Sequence, residues 1–129
     1  MTTLKPMSQS LSFSMSSKDS LEKIDVDLAN DLYNVYVINA TDSPVMGIVL
    51  NGVNQFFGGQ INRTCSKTPP TNCHNDPSAR HLILTQGCNT PGFDLALIFK
   101  GADGNLYKTK SDPVRPNCAY AGLEILFYG

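Results

Sequence analysis

The stretch MGIVLNGVNQFF, residues 46–57, sets two short apolar runs on either side of Asn51-Gly52. Asn-Gly is the preferred pair for a two-residue type I′ hairpin, because both central residues must take positive φ. This stretch therefore predicts two antiparallel strands. The same alternation of short strand-like runs and turn residues recurs on both sides of it. Downstream, GFDLALIFK (residues 92–100) puts Phe93, Leu95, Leu97 and Phe99 on one face. It turns at GADGN into NLYKTK, a second hairpin. HLILTQ (residues 81–86) is a further strand, and YAGLEILFY (residues 120–128) ends the pattern with Ala121, Leu123, Ile125 and Phe127 on one face. Upstream, LYNVYVIN (residues 32–39) is apolar on both faces and predicts a central strand.

No segment of ten residues holds a 3.6-residue period. SKDSLEKIDVDL (residues 17–28) comes nearest, yet its Ile24, Val26 and Leu28 alternate with Asp25 and Asp27 as a strand does. SLSFSM (residues 10–15) alternates serines with Leu11, Phe13 and Met15, so a strand is expected even here. That arm either joins its own domain or completes a neighbouring subunit's sheet, as in strand-complemented assemblies. The count comes to roughly nine strands. An all-β antiparallel sandwich, with a barrel-like closure as its variant, is the expected class for residues 1–129 as one domain.

Composition agrees. The apolar fraction of 41% suffices for one core in 129 residues, and only 16% of residues are charged. Ten basic residues nearly balance eleven acidic ones, which leaves no basic footprint for nucleic acid. The longest apolar runs, residues 95–99 and 125–128, are too short to span a bilayer as a helix. The opening MTTLKPMSQS lacks the apolar centre of a secretory signal.

Cys65, Cys73, Cys88 and Cys118 are flanked by turn-type residues, which suits bridges that clamp loops. The expected pairs are Cys65 with Cys73 and Cys88 with Cys118, contributing about 2.5 and 3.5 kcal/mol by chain entropy. Four buried reduced thiols are the competing account. Bridges imply an oxidising compartment, hence a secreted or extracytoplasmic protein. Residues 63–80 form the one long irregular segment, with Pro69-Pro70 and two of the cysteines in it.

Reactive constellations are sparse. His74 and His81 are the only imidazoles, and no G-x-S-x-G elbow exists. Cys73 and His74 are adjacent, but neighbours in an extended chain point to opposite sides. The cysteine and histidine spacings match no common zinc pattern. Asp25 and Asp27 read as the solvated face of a strand rather than a glycosidase pair. Asn75, Asp76, Asp103 and Asn105 offer oxygen ligands for calcium but lack the D-x-D-x-D-G run. Glu124 and Asp94 each sit among small or apolar neighbours, so each is expected half-buried and paired, with Arg80 or Lys100 as partner. Sequons occur at Asn39 and Asn62.

What remains is a polar loop beside a rigid sheet. Asn72, His74, Asn75 and Asp76, with Asp103 and Asn105, carry amide, imidazole and carboxylate groups that bond sugar hydroxyls. Tyr107 or Tyr120 would cover the apolar face of a pyranose. The resulting expectation is a non-enzymatic module, without cofactor or metal, that binds a glycan or a cell surface through its loops. The alternative is a filament- or coat-type subunit, a homo-oligomer joined through its terminal strands by Leu11, Phe13 and Met15. A small hydrolase ranks below both.

Overall fold

The fold is described from a computed structural model, which defines residues 32–129. The strands expected over residues 10–15 and 24–28, with Leu11, Phe13 and Met15, lie outside the described residues. The Asn51-Gly52 hairpin forms as its sequence dictates. Asn51 takes φ 49° and Gly52 φ 82°, the left-handed pair of a type I′ turn. It joins β2 (Val45–Leu50) to β3 (Val53–Ile61). β5 (Phe93–Lys100) lies on the other side of β2, and β6 (Leu106–Lys108) pairs antiparallel with its end. β7 (Asp112–Val114) pairs with the start of β5.

The second sheet has the order β4–β1–β8, with β1 (Leu32–Asn39) in the centre, β4 (His81–Gly87) antiparallel to it and β8 (Gly122–Phe127) parallel to it. The parallel pair corrects the expectation of a wholly antiparallel fold. β8 reaches this sheet from β7 of the other by a crossover rather than a hairpin, the kind of connection a parallel pair requires. Gly122 makes the approach feasible: a Cβ there would sit 1.9 Å from the carbonyl oxygen of Asn34. Any side chain would push β8 off β1.

Among the described residues there are eight strands and no α-helix. β7 was not foreseen, since its central residue is Pro113. Proline survives there because the strand lies at a sheet edge, where its missing N–H costs no ladder bond. Among the described residues the sheets do not close into a barrel. They face each other across one core in which Tyr33, Val35 and Val37 of β1 meet Val45 and Ile48 of β2 and Phe93, Leu95 and Leu97 of β5.

β1 carries apolar residues on both faces, and its second face is covered at the Asn39 end. Ile38 points away from the main core into a second cluster with Cys65, Cys73 and Ala79, all contributed by the irregular segment. Two disulfides, Cys65–Cys73 and Cys88–Cys118, tie the loops as their spacing implied. The first closes the irregular segment on itself, and its two half-cystines pack against Ile38 of β1. The second joins the residue after β4 to the turn that leads into β8.

Asn39 closes this corner and is fully buried. Its side-chain amide donates to the carbonyls of Ser43 at 2.9 Å and Ile61 at 3.0 Å. Its side-chain oxygen accepts from the Thr41 amide and hydroxyl. Its own carbonyl accepts from Thr64 and Cys65. The chain's entry into the irregular segment is built around this one side chain. Both amide hydrogens of Asn39 are thus spent inside the fold, whereas Asn62 is exposed. Secreted from a glycosylating host, the protein should carry N-glycan at Asn62 and none at Asn39 by peptide mass spectrometry. Occupancy at Asn39 would contradict the buried placement.

Candidate functional site

The candidate ligand residues do not converge; they separate into three places. The first is the irregular segment, where most of the polar groups bond the protein itself. Asn75 takes φ 63°, a left-handed conformation that asparagine tolerates, and its N–H donates to Glu124 Oε1 at 2.8 Å. His74 Nδ1 lies 3.1 Å from the same oxygen, and Arg80 Nε donates to Glu124 Oε2. The Arg80 guanidinium also lies over the Tyr36 ring, 5.3 Å from its centroid. Asp76 caps the following 3₁₀ turn through the Ser78 amide and hydroxyl and pairs with Lys67. The Ser78 bonds, aided by Lys67, hold its carboxyl below the ordinary carboxylate value. Asn72 stays exposed.

Glu124 was expected to be partly buried and paired, and Arg80 is its partner. His74 and the Asn75 amide were not foreseen as partners. Burial alone would raise the pKa of Glu124, but the bonds from Asn75, Arg80 and His74 outweigh it and hold the carboxyl below its usual value. This cluster is therefore a clamp between β8 and the disulfide-tied segment. Asp94 behaves differently: it is exposed on β5, which corrects the expectation of a half-buried, paired carboxylate.

The second place is the β5–β6 turn. Asp103 Oδ1 accepts from the Asn105 amide at 2.9 Å, and Oδ2 accepts from Asn105 Nδ2 and from the Tyr107 hydroxyl. The Tyr107 bond comes first among the causes that hold the Asp103 carboxyl below its ordinary value. The Tyr107 ring stacks on Phe99 with centroids 5.8 Å apart, and Phe99 in turn meets Phe127 at 5.1 Å. Gly101 has no room for a side chain because the Tyr107 ring would lie 2.8 Å from its Cβ. A shallow depression of about 440 Å³ is lined by Phe99, Gly101, Ala102, Asp103 and Tyr107. Here a fixed anion stands beside an exposed aromatic ring.

Tyr120 is the third place. It lies in the turn before β8, beside the start of β1, whereas Tyr107 sits at the Asn39 end. Tyr107 and Tyr120 therefore do not serve one site.

A feature that loop-by-loop reading missed lies between the sheets. A groove of about 420 Å³ runs along β8, walled by Leu123, Ile125 and Phe127 on one side and Leu95, Leu97 and Val114 on the other. Among the described residues β8 pairs only with β1, and its outer edge has no partner strand among them. The signal was present in the alternation of residues 120–128, but sequence cannot say which edge lacks a neighbour.

Among the described residues no three His, Cys, Asp or Glu side chains gather as metal ligands would. No helix of the described residues is long and apolar enough to cross a membrane. No family model matches the chain, and searches of curated proteins and of solved structures found no significant match.

Proposed function

We propose that this chain is a non-enzymatic recognition module, a disulfide-stapled β-sandwich that binds a glycan at a cell surface through its β5–β6 turn. One observation carries the reading: the Asp103 carboxylate, fixed by Asn105 and Tyr107, stands beside the exposed Tyr107 ring in a shallow depression. A carboxylate accepts sugar hydroxyls, and an aromatic face covers the apolar side of a pyranose. The two disulfides are compatible with an extracytoplasmic location. Of the polar and aromatic loop residues, Asp103, Asn105 and Tyr107 lie together at this turn. His74, Asn75 and Asp76 are engaged in the clamp or the turn beside it.

The test is a glycan array followed by titration of the best hit. Tyr107→Ala should weaken binding at least tenfold, and Tyr107→Phe, which keeps the ring, should retain more affinity. Tyr107→Ala also gives up the stacking on Phe99, so a melting curve taken alongside the titration separates lost binding from lost fold. A folded protein with no hits, or a Tyr107→Ala variant that binds normally, overturns the reading.

A second reading, a filament- or coat-type subunit joined by terminal strand addition, draws on the groove beside β8. It needs residues 10–15 to enter the groove of another copy, and its test is the oligomeric state.

A further inference from the structure

We propose that residues 10–15 of the same chain fill the groove as a strand along β8, with Leu11, Phe13 and Met15 inserted between the sheets. The inference is independent of glycan binding. It begins with the edge of β8 that has no partner strand among the described residues, and with the apolar walls beside it. On β8 the inward residues are Leu123, Ile125 and Phe127, three apolar side chains at a spacing of two. The segment SLSFSM offers the same number at the same spacing, with serines between them. A strand added to β8 would put one set inward and leave the serines on the solvent side, where a hydroxyl costs nothing.

The source follows from the connector. Residues 16–31, sixteen in number, link the segment to Leu32 at the start of β1. A random coil of that length has a root-mean-square span of about 20–25 Å. β8 is six residues long, roughly 20 Å, and is the immediate neighbour of β1. The connector therefore matches the distance it must cover, and matched connectors give effective concentrations in the millimolar range. A second copy at micromolar concentration competes at a disadvantage of about a hundredfold or more. The same segment that would build a filament in trans is held at home by its own tether.

The experiment uses the full chain. Amide hydrogen exchange and light scattering are measured together, on the native protein and on Phe13→Asp and Ser12→Asp. The expected result is a monomer in which residues 10–15 and the β8 amides facing away from β1 are protected. Phe13→Asp should raise exchange at both places at least tenfold, while Ser12→Asp, on the outward side, leaves both nearly unchanged. If Phe13→Asp does not fold, Leu11→Ala and Met15→Ala give the same comparison with milder changes. Free exchange of residues 10–15 in the folded chain would overturn the proposal. So would protection that appears only in an oligomer and fades on dilution, which would assign the segment to a second copy.

Discussion

Asn39→Ala should lose about 3–5 kcal/mol of stability, most of what a domain of this size has to spare. The reason is what the substitution leaves behind. The Ile61 and Ser43 carbonyls lose the amide that now satisfies them, and an unsatisfied buried acceptor costs about 1–3 kcal/mol. The Thr41 amide and hydroxyl lose their shared acceptor as well. Nothing of matching polarity replaces these contacts, because Asn39 is fully buried. For a chain of 129 residues this corresponds to a fall in melting temperature of roughly 11–18 °C. Asn39→Asp is a sharper control. It keeps the acceptor for Thr41 but turns a second oxygen towards two carbonyls, so it should be at least as damaging at neutral pH. A loss below about 1 kcal/mol in either variant would show that the corner between β1 and β2 repacks, and that Asn39 does not organise it.

That residue also marks where sequence reading stopped short. Asn39 stood in a sequon, and a sequon is a local string that says nothing about burial. Only the backbone path that brings Ile61 and Ser43 to it shows its role. Local signals did better. The Asn51-Gly52 turn, the alternation in β5 and both disulfide pairings were legible, because each depends on neighbours in sequence or on loop chemistry. β8 was legible as a strand but not as a parallel partner of β1, since its direction depends on how often the chain changes sheets. β7 was hidden by Pro113, whose tolerance depends on an edge position that sequence does not reveal. The candidate site shows the same division. Asp103, Asn105 and Tyr107 lie within five residues and fall together. Tyr120, thirteen or more residues away from them, goes to the other end of the sheets. The polar run from Asn72 to Asp76 had the composition of a binding loop, and most of its side chains proved to hold the loop instead.

The clamp at Glu124 should be the second costly position, with Glu124→Ala expected to lose about 2–4 kcal/mol. Breaking a buried pair from one side costs about 3–5 kcal/mol, and Arg80, with 29% of its side chain exposed, recovers part of that from water. Glu124→Ala also strips the Asn75 amide of its acceptor and His74 of its partner. The pH dependence follows from the direction of the shift. Glu124 has a folded pKa below its ordinary value, so in the folded state it resists protonation more than in the unfolded chain. Its contribution is then complete above the unfolded pKa, about 4.3, and drains away as pH falls through the lower folded value. Glu124→Gln keeps the shape but removes this linkage. The stability gap between wild type and Glu124→Gln should therefore be widest near neutrality and narrow as the pH drops below about 4. Cys65–Cys73 should limit how far the released segment moves, so loss of the clamp and loss of that bridge should couple rather than add. In exchange experiments Glu124→Gln should loosen residues 70–80 while β2 and β5 stay protected. A gap that stays constant from pH 7 to pH 3, or loosening spread evenly over both sheets, would remove Glu124 from this role.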